Sequence, residues 1–174
     1  MYSFRNDYSE GAHPVIMERL LELNQCQNVG YGEDALCEQA KRQLKAKLHC
    51  EDCDIHFLVG GTQANLTVIA AALRPFEGVL CADTGHINVH ETGAVEATGH
   101  KVLPLPGREG KITAAQVRAA VEAHRDDATH EHMVRPALVY ISHPTELGTL
   151  YSRQELQDLS DTCRALGIRL FLDG

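Results

Sequence analysis

Three places in the sequence carry residues whose types and spacing could support chemistry. The tetrapeptide Gly60-Gly61-Thr62-Gln63 lies between an apolar stretch and a helical pattern, Asp173 ends the last apolar stretch, and His86 follows another. Glycines let a phosphate approach the backbone closely, and the free amides at a helix N-terminus bind its charge. The spacing leaves two interpretations of the tetrapeptide open: a phosphate site, or a glycine turn in which Thr62 caps the helix.

The acidic and histidine side chains also allow more than one interpretation. A carboxylate at the end of a buried strand is costly without a partner, so we interpret Asp173 as a ligand contact, with a surface turn as the alternative. The alternative for the histidines is a metal site, because His86 and His90 are four residues apart and His130-Glu131-His132 has ligand-type side chains. Neither pattern forms an HExxH motif, and we expect the second group to be structural or exposed.

Secondary structure must position these residues, and hydrophobic periodicity predicts alternating helices and strands. Helices are predicted from Pro14, at residues 36–48, 63–73 and 92–98, and after the capping boxes that begin at Thr113 and Ser152. Strands are predicted at residues 55–59, 78–82, 102–105, 137–142 and 168–172. The helix at 63–73 is apolar almost all round, which predicts cover on several sides, and the polar segment 124–135 is interpreted as a surface connection.

Strands that alternate with helices predict βαβ units. The fold class expected is therefore α/β, with a mostly parallel sheet and helices on both faces. The last strand, at residues 168–172, is apolar enough to predict a place in the sheet interior. Ligands of such sheets lie beyond the carboxyl ends of the strands, where Gly60, Asp83, His143 and Asp173 fall.

Composition narrows the class of protein. Of 174 residues, 24 are Asp or Glu and 16 are Lys or Arg, a net charge of −8, which lacks the basic surface expected of a nucleic-acid binder. No apolar run reaches the roughly 18 residues of a membrane span, and the first residues have no secretory pattern. We therefore expect no nucleic-acid or membrane partner, and a cytoplasmic location in which the six cysteines, including the CxxC pair Cys50 and Cys53, are thiols.

Five motifs follow one another along the whole chain. They are Phe4-Arg5-Asn6-Asp7-Tyr8-Ser9-Glu10-Gly11, Val29-Gly30-Tyr31-Gly32-Glu33-Asp34, Gly60-Gly61-Thr62-Gln63-Ala64-Asn65, His86 with Glu91, and Phe171-Leu172-Asp173-Gly174. In this order they resemble the low-specificity L-threonine aldolases and the related β-eliminating lyases. The resemblance implies the large domain of the aspartate-aminotransferase fold and pyridoxal 5'-phosphate as the cofactor. It also favours the phosphate interpretation of the glycine tetrapeptide.

The resemblance implies cofactor-binding roles for five residues. The phosphate of the cofactor would lie on Gly61, Thr62 and Gln63. Asp173 would pair with the pyridine nitrogen and keep it protonated, so that the ring accepts the electrons released at the substrate Cα. His86 would stack on the ring and assist deprotonation of the substrate β-hydroxyl. Asp173 and His86 are therefore the candidate catalytic residues.

Substrate contacts are implied for three further residues. Ser9 would help to hold the substrate carboxylate, Tyr31 would approach the active site of a neighbouring subunit, and Glu91 would support the region around His86. The N-terminal segment departs from the family, because Asn6-Asp7-Tyr8-Ser9 stands where many members have Ser-Asp-Thr. A homodimer or homotetramer is the assembly expected from the resemblance.

The resemblance also implies a division of the chain. Residues 1–30 would form an N-terminal segment, and residues 31–174 would form most of the large cofactor-binding domain. Similar enzymes continue beyond the counterpart of Asp173 with a lysine that binds the cofactor, an arginine for the substrate carboxylate, and a small domain. We therefore expect this chain to be the N-terminal part of such an enzyme, incomplete at its C-terminus, and inactive by itself.

The function expected is cleavage of the Cα–Cβ bond of L-threonine, or of a similar β-hydroxy-α-amino acid, to glycine and an aldehyde. A related pyridoxal-phosphate β-eliminating lyase would share the residues named above. A histidine-metal hydrolase and a cofactor-free interaction module are the alternatives from other classes.

Overall fold

The computed structural model describes residues 3, 5, 6 and 8–174, and these divide into two compact units. The first unit is Met1–Phe57 and the second is Leu58–Gly174. Each unit is described by itself. The domain boundary expected at residues 30 and 31 stays a prediction.

The first unit contains two helices, α1 (Pro14–Leu23) and α2 (Ala35–Leu48). Pro14 occupies the first turn of α1, where a missing N–H costs nothing. Asp34 caps α2, because its side chain accepts hydrogen bonds from the backbone nitrogens of Leu36 and Cys37. Neither helix buries a residue, and most apolar side chains of α1 are exposed (Val15, Ile16, Met17, Leu20 and Leu21).

The second unit alternates helices and strands along the chain. Its elements are α3 (Gly61–Ala72), β1 (Glu77–Ala82), α4 (His86–Val89), α5 (Ala94–Ala97), β2 (Lys101–Leu105), α6 (Ala114–Asp126), a 3₁₀ helix (His130–His132), β3 (Arg135–Ser142), α7 (Arg153–Leu166) and β4 (Arg169–Asp173). The capping boxes predicted at Thr113 and Ser152 are both present. Gly167 ends α7 in the left-handed region, at φ 69°, which favours glycine.

The four strands form one sheet in the order β2-β1-β3-β4, and all of its pairs are parallel. Successive side chains of a strand point to opposite faces, so each face carries its own apolar cluster. Leu80 and Val139 lie in the cluster with residues of α6 and α7. Val79 and Tyr140 lie in the cluster with residues of α3, α4 and α5. The predicted α/β fold, with a mostly parallel sheet and helices on both faces, is confirmed.

Four expectations about elements are wrong, and the first three concern residues 55–59, β4 and the segment 124–135. Residues 55–59 form no strand, because no other segment of the described chain pairs with them, and a strand needs a neighbour's hydrogen bonds. β4 lies at an edge of the described sheet, paired only with β3, so Leu172 is 44% exposed. The segment 124–135 is not all surface connection, because α6 runs to Asp126 and buries His124 on the same stripe as Val117 and Val121.

The helix expected to be covered on several sides is covered on one. Asn65 and Ile69 of α3 are buried, four residues apart on one face of the helix, whereas Val68 is 38% exposed. The buried face of α3 packs on the apolar cluster of the sheet that contains Tyr140. Asn65 is the polar member of that face, and this places its amide at the candidate site.

Candidate functional site

The candidate site lies at the carboxyl edge of the sheet. β1 ends at Ala82, β3 at Ser142 and β4 at Asp173, and parallel strands bring these ends to the same edge. Ser142 and Asp173 are partners in the register of β3 and β4. Beyond Ser142, the backbone nitrogen of His143 donates to the Asp173 carbonyl oxygen at 2.7 Å, which fixes the end of β4.

The Asp173 side chain is half-buried and held by two donors. Tyr140 Oη donates to Asp173 Oδ2 at 2.5 Å, and Asn65 Nδ2 donates to the same oxygen at 3.0 Å. Oδ1 has no hydrogen-bond partner in the described part of the chain. Burial, and then the hydrogen bond to Asp173, raises the pKa of Tyr140 above the ordinary value for tyrosine, so the phenol is a donor at neutral pH. The carboxylate is therefore oriented, with one oxygen open to a further partner.

Asn65 connects Asp173 to a second carboxylate. Its Nδ2 also donates to Glu91 Oε1 at 2.7 Å, and His86 Nδ1 lies 2.8 Å from the same oxygen. The Glu91 side chain is fully buried, and its Oε2 has no hydrogen-bond partner among the described residues. One amide thus bridges two acidic groups that come from distant parts of the sequence.

His86 is the first residue of α4, and its side chain is 38% exposed. Contact with Glu91 through Nδ1 fixes the orientation of the ring, because an imidazole hydrogen-bonded at one nitrogen can no longer rotate freely. The His90 ring lies 5.4 Å away between centroids, tilted by 50°. The part of the ring that is not engaged by Glu91 remains open to a ligand.

The N-terminus of α3 supplies free backbone donors. Gly60 is the N-cap and no side chain caps the helix, so the alternative in which Thr62 is the N-cap is wrong. The backbone nitrogens of Gly61, Thr62 and Gln63 have no acceptor in the described chain, and all three residues are exposed. Gln63 Oε1 accepts a hydrogen bond from the Val59 nitrogen at 2.8 Å. This bond connects the residue before the N-cap to the first turn of α3.

Glycine at position 61 is not required by the protein itself. A Cβ built at Gly61 meets no atom within 4 Å, and the backbone there is not in the left-handed region. The space in front of the helix is therefore open. Room beside three free amides and the positive end of the helix dipole suits an anion such as a phosphate.

Two of the predicted substrate contacts belong to the first unit. Ser9 is exposed, and its Oγ donates to Asn6 Oδ1 at 2.6 Å. Tyr31 is fully exposed and has a positive φ of 64°. Phe4 and Asp7 of the N-terminal motif lie outside the described residues. The structure therefore gathers His86, Glu91 and Asp173 in the second unit, and the roles of Ser9 and Tyr31 stay predictions.

Sequence reasoning did not identify Asn65 and Tyr140 as site residues. Asn65 interrupts the buried stripe that it shares with Ile69, and a polar residue at a buried helical position needs a partner. Tyr140 lies in the buried strand β3, and a buried phenol also needs a partner. The sequence shows both polar residues at positions predicted to be buried. It does not show which carboxylate accepts their hydrogen bonds.

Histidine, cysteine and carboxylate side chains elsewhere in the chain are the candidates for a metal site. Within residues 3, 5, 6 and 8–174, no three His, Cys, Asp or Glu side chains are grouped to hold a metal ion. The six cysteines are free thiols, of which Cys81 and Cys163 are buried, and burial raises the pKa of Cys81 to about 12. No helix in the described chain has both the length and the apolar character needed to cross a membrane.

Comparison with known proteins identifies relatives of the whole chain. The family described as beta-eliminating lyase matches residues 4–174. The low specificity L-threonine aldolase of Pseudomonas aeruginosa is 32% identical over 173 residues, which is 98% of this chain and 49% of that protein. This chain therefore spans about half the length of the curated relatives it matches.

Solved structures agree with this relationship. The structure of a Leishmania major threonine aldolase has a TM-score of 0.93 and 49% identity, and the match covers all of this chain and 50% of that one. An archaeal alanine:glyoxylate aminotransferase has the same fold, with a TM-score of 0.71 at 17% identity over 91% of this chain and 39% of that one. The predicted resemblance and the aminotransferase-like fold are confirmed, and the chain belongs to the beta-eliminating lyase family.

Proposed function

We propose that the full-length protein is a pyridoxal-phosphate-dependent aldehyde-lyase that cleaves the Cα–Cβ bond of L-threonine or a similar β-hydroxy-α-amino acid. The products are glycine and an aldehyde. The observation that carries the proposal is the hydrogen-bonded series His86, Glu91, Asn65 and Asp173 on the same unit as the open N-terminus of α3. The similarity to named threonine aldolases supports this substrate class.

The residues present fit pyridoxal phosphate by their chemistry. Gly61, Thr62 and Gln63 offer three free amides to a phosphate, and the space in front of Gly61 is open. Asp173 offers its free Oδ1 to the ring nitrogen, and His86 offers an exposed ring surface for stacking. When bound, the cofactor supplies an electron sink for the electrons released at the substrate Cα.

Asp173 holds a proton on the ring nitrogen in this proposal. Its negative charge at Oδ1 favours the protonated nitrogen, while Tyr140 and Asn65 fix Oδ2. Groups that are oriented before the reaction do not need to reorganise as charge develops, so the two donors contribute to catalysis through Asp173. Tyr140 and Asn65 are therefore positioning residues.

His86 accepts the proton of the substrate β-hydroxyl in this proposal. In this proposal Nδ1, which lies 2.8 Å from Glu91 Oε1, carries the imidazole proton and donates it to that oxygen. Nε2 is then the basic nitrogen, on the far side of the ring from Glu91. Removal of the hydroxyl proton allows the electrons of the Cα–Cβ bond to leave toward Cα as the aldehyde forms.

Assembly and location complete the proposal. Ser9 contacts the substrate carboxylate, and Tyr31 approaches the site of a neighbouring subunit in a homodimer or homotetramer. The exposed apolar side chains of α1 support an interface between copies of the chain, because contiguous apolar surface is usually covered. A cytoplasmic location is supported by the six free thiols, since a reducing compartment preserves them.

A substrate panel tests the function. The purified full-length protein, saturated with pyridoxal phosphate, is incubated with L-threonine, L-allo-threonine, L-phenylserine and L-cysteine. We expect glycine and the matching aldehyde from the first three substrates. Pyruvate and sulfide from cysteine, without aldehyde from the others, would assign a β-eliminating lyase instead. Absence of any spectral change with pyridoxal phosphate, together with stoichiometric zinc by elemental analysis, would favour the metal hydrolase.

A further inference from the structure

A cavity lies at the opposite edge of the sheet from Asp173. It has a volume of about 650 Å³ and is lined by the first residues of β1, β3 and β4 and by the C-terminal ends of α3, α6 and α7. Cavities that bind small molecules have volumes of roughly 300 to 1,000 Å³. The position separates this cavity from the carboxyl edge, where the proposed catalytic residues lie.

Four arginines line this amino-edge cavity, although the chain has a net charge of −8. They are Arg74, Arg125, Arg135 and Arg169. Among the described lining residues, Glu77 is the carboxylate that opposes them, and it pairs with Arg135. All four side chains are exposed, so water screens their mutual repulsion. The surplus of positive charge around one cavity suits an anionic ligand.

Two of the arginines also have a structural role, which does not use all of their donors. Arg125 Nη2 donates to the Leu166 carbonyl oxygen at 2.7 Å, and Arg169 Nη1 donates to the Ala72 carbonyl oxygen at 2.7 Å. These bonds satisfy carbonyl groups at the ends of α7 and α3. A guanidinium has five N–H donors, so each of these arginines retains donors for a ligand.

Arg74 has no such structural role. Its guanidinium makes no hydrogen bond or ion pair with any residue described by the structure. The C-terminal ends of three helices at the cavity each contribute roughly half a negative charge, and Glu77 contributes one full negative charge. The positive charge of the four guanidinium groups exceeds this total. The field in the cavity is therefore positive, and Arg74 is the arginine least explained by folding.

His124 is a buried member of the cavity lining. It lines the same cavity, is 8% exposed, and its Nε2 has no hydrogen-bond partner in the described chain. The ring of His130, another lining residue, lies 5.8 Å from it between centroids.

We propose that the amino-edge cavity is a binding site for a small phosphate-bearing anion with at least two negative charges. Arg74, Arg125 and Arg169 contact its phosphate oxygens. Arginine suits this role because its planar fork donates two hydrogen bonds to one phosphate. The site is distinct from the phosphate site proposed at α3, because the C-terminal end of α3 lines it and the N-terminal end does not.

Inorganic pyrophosphate is the probe for this site. The full-length protein is first saturated with pyridoxal phosphate, and pyrophosphate is then titrated by isothermal calorimetry at low and high salt. We expect saturable binding that weakens with salt, and a loss of at least about tenfold in affinity in Arg74→Gln. The matched control is Arg118→Gln, which removes an exposed arginine of α6 that does not line the cavity.

The outcomes separate this site from the cofactor site. Binding that is lost in Gly61→Val and retained in Arg74→Gln would place pyrophosphate at the N-terminus of α3 and overturn the proposal. Absence of saturable binding at low salt, or equal affinity in Arg74→Gln and the unsubstituted protein, would also overturn it. The Arg74 guanidinium makes no hydrogen bond or ion pair in the described chain, and the backbone nitrogen can still donate to Glu77 Oε2 after substitution. We therefore expect Arg74→Gln to fold normally, and unchanged thermal unfolding checks this.

Discussion

Asp173 is the residue on which the proposed chemistry depends most directly. In Asp173→Asn, the amide still accepts from Tyr140 and Asn65 but no longer favours a protonated ring nitrogen. We expect the variant to bind pyridoxal phosphate and to lose about a hundredfold or more in kcat, the effect typical of removing one preorganised electrostatic contact. The control is Asp83→Asn at the end of β1, where the side chain only accepts from the Gly107 nitrogen. Near-normal kcat in Asp173→Asn would contradict the assignment.

Asn65 couples the two carboxylates through one amide nitrogen. Asn65→Leu preserves the size of the side chain but leaves Glu91 and Asp173 with one donor fewer each. We expect the free energy of unfolding to fall by about 1 to 3 kcal/mol, because buried polar groups lose a partner. Urea denaturation measures the change. Asn88→Ala is the control, since Asn88 makes one exposed hydrogen bond to the Asp83 carbonyl and its loss should cost less.

Tyr140 has a pKa raised mainly by burial and also by its bond to Asp173. A group with a raised folded-state pKa stabilises the fold fully below its ordinary pKa, about 10 for tyrosine, and loses that contribution only as pH rises through the raised value. Tyr140→Phe should therefore be less stable by about 1 to 3 kcal/mol from neutral pH up to about pH 10. Urea titrations at several pH values check this, with exposed Tyr8→Phe as the control. A deficit that vanishes below pH 10 would be inconsistent with the buried contact.

At the scale of elements, local sequence signals predict most of the helices and strands. They do not predict contacts between residues that are far apart in the sequence. The capping boxes at Thr113 and Ser152 are confirmed because each depends on residues three positions apart. The strand expected at residues 55–59 is absent because pairing depends on a neighbour that the local sequence does not specify. Within the site, Asn65 contacts residues that are 26 and 108 positions away in the sequence. The sequence shows that a polar residue lies on an apolar helix stripe, but it does not show which residues Asn65 contacts.

The start of α3 is the element most directly open to a test of ligand binding. Gly61→Val adds a side chain into space that is empty of protein atoms, so the fold should be retained while a phosphate is pushed from the amides. Thr62→Ala should weaken cofactor binding by about 0.5 to 1.5 kcal/mol through one lost hydrogen bond. Equilibrium titration with pyridoxal phosphate measures both. Thr67→Ala, on the exposed side of the same helix, is the control, and equal affinities in all variants would contradict a phosphate site there.

For the whole molecule, the two edges of one parallel sheet carry different charge. The carboxyl edge presents Asp173 near the buried carboxylate of Glu91, whereas the amino edge presents four arginines. The parallel arrangement makes this separation possible, because all strand ends of one kind lie together. A cationic substrate amine and an anionic ligand would therefore be attracted to opposite edges of the same unit.

Assembly is the remaining property of the whole molecule, and α1 provides its test. Ile16, Met17, Leu20 and Leu21 are each about half exposed or more and follow helical spacing, so they form one apolar face. We expect the full-length protein to sediment as a homo-oligomer, and Ile16→Lys combined with Leu20→Lys to shift it toward the monomer, because burying two unpaired charges opposes association. Glu18→Lys changes the charge on the opposite face of α1 and should leave the assembly intact. An unsubstituted protein that sediments as a monomer at micromolar concentration, or a double variant that stays oligomeric, would show that a second copy does not cover this face.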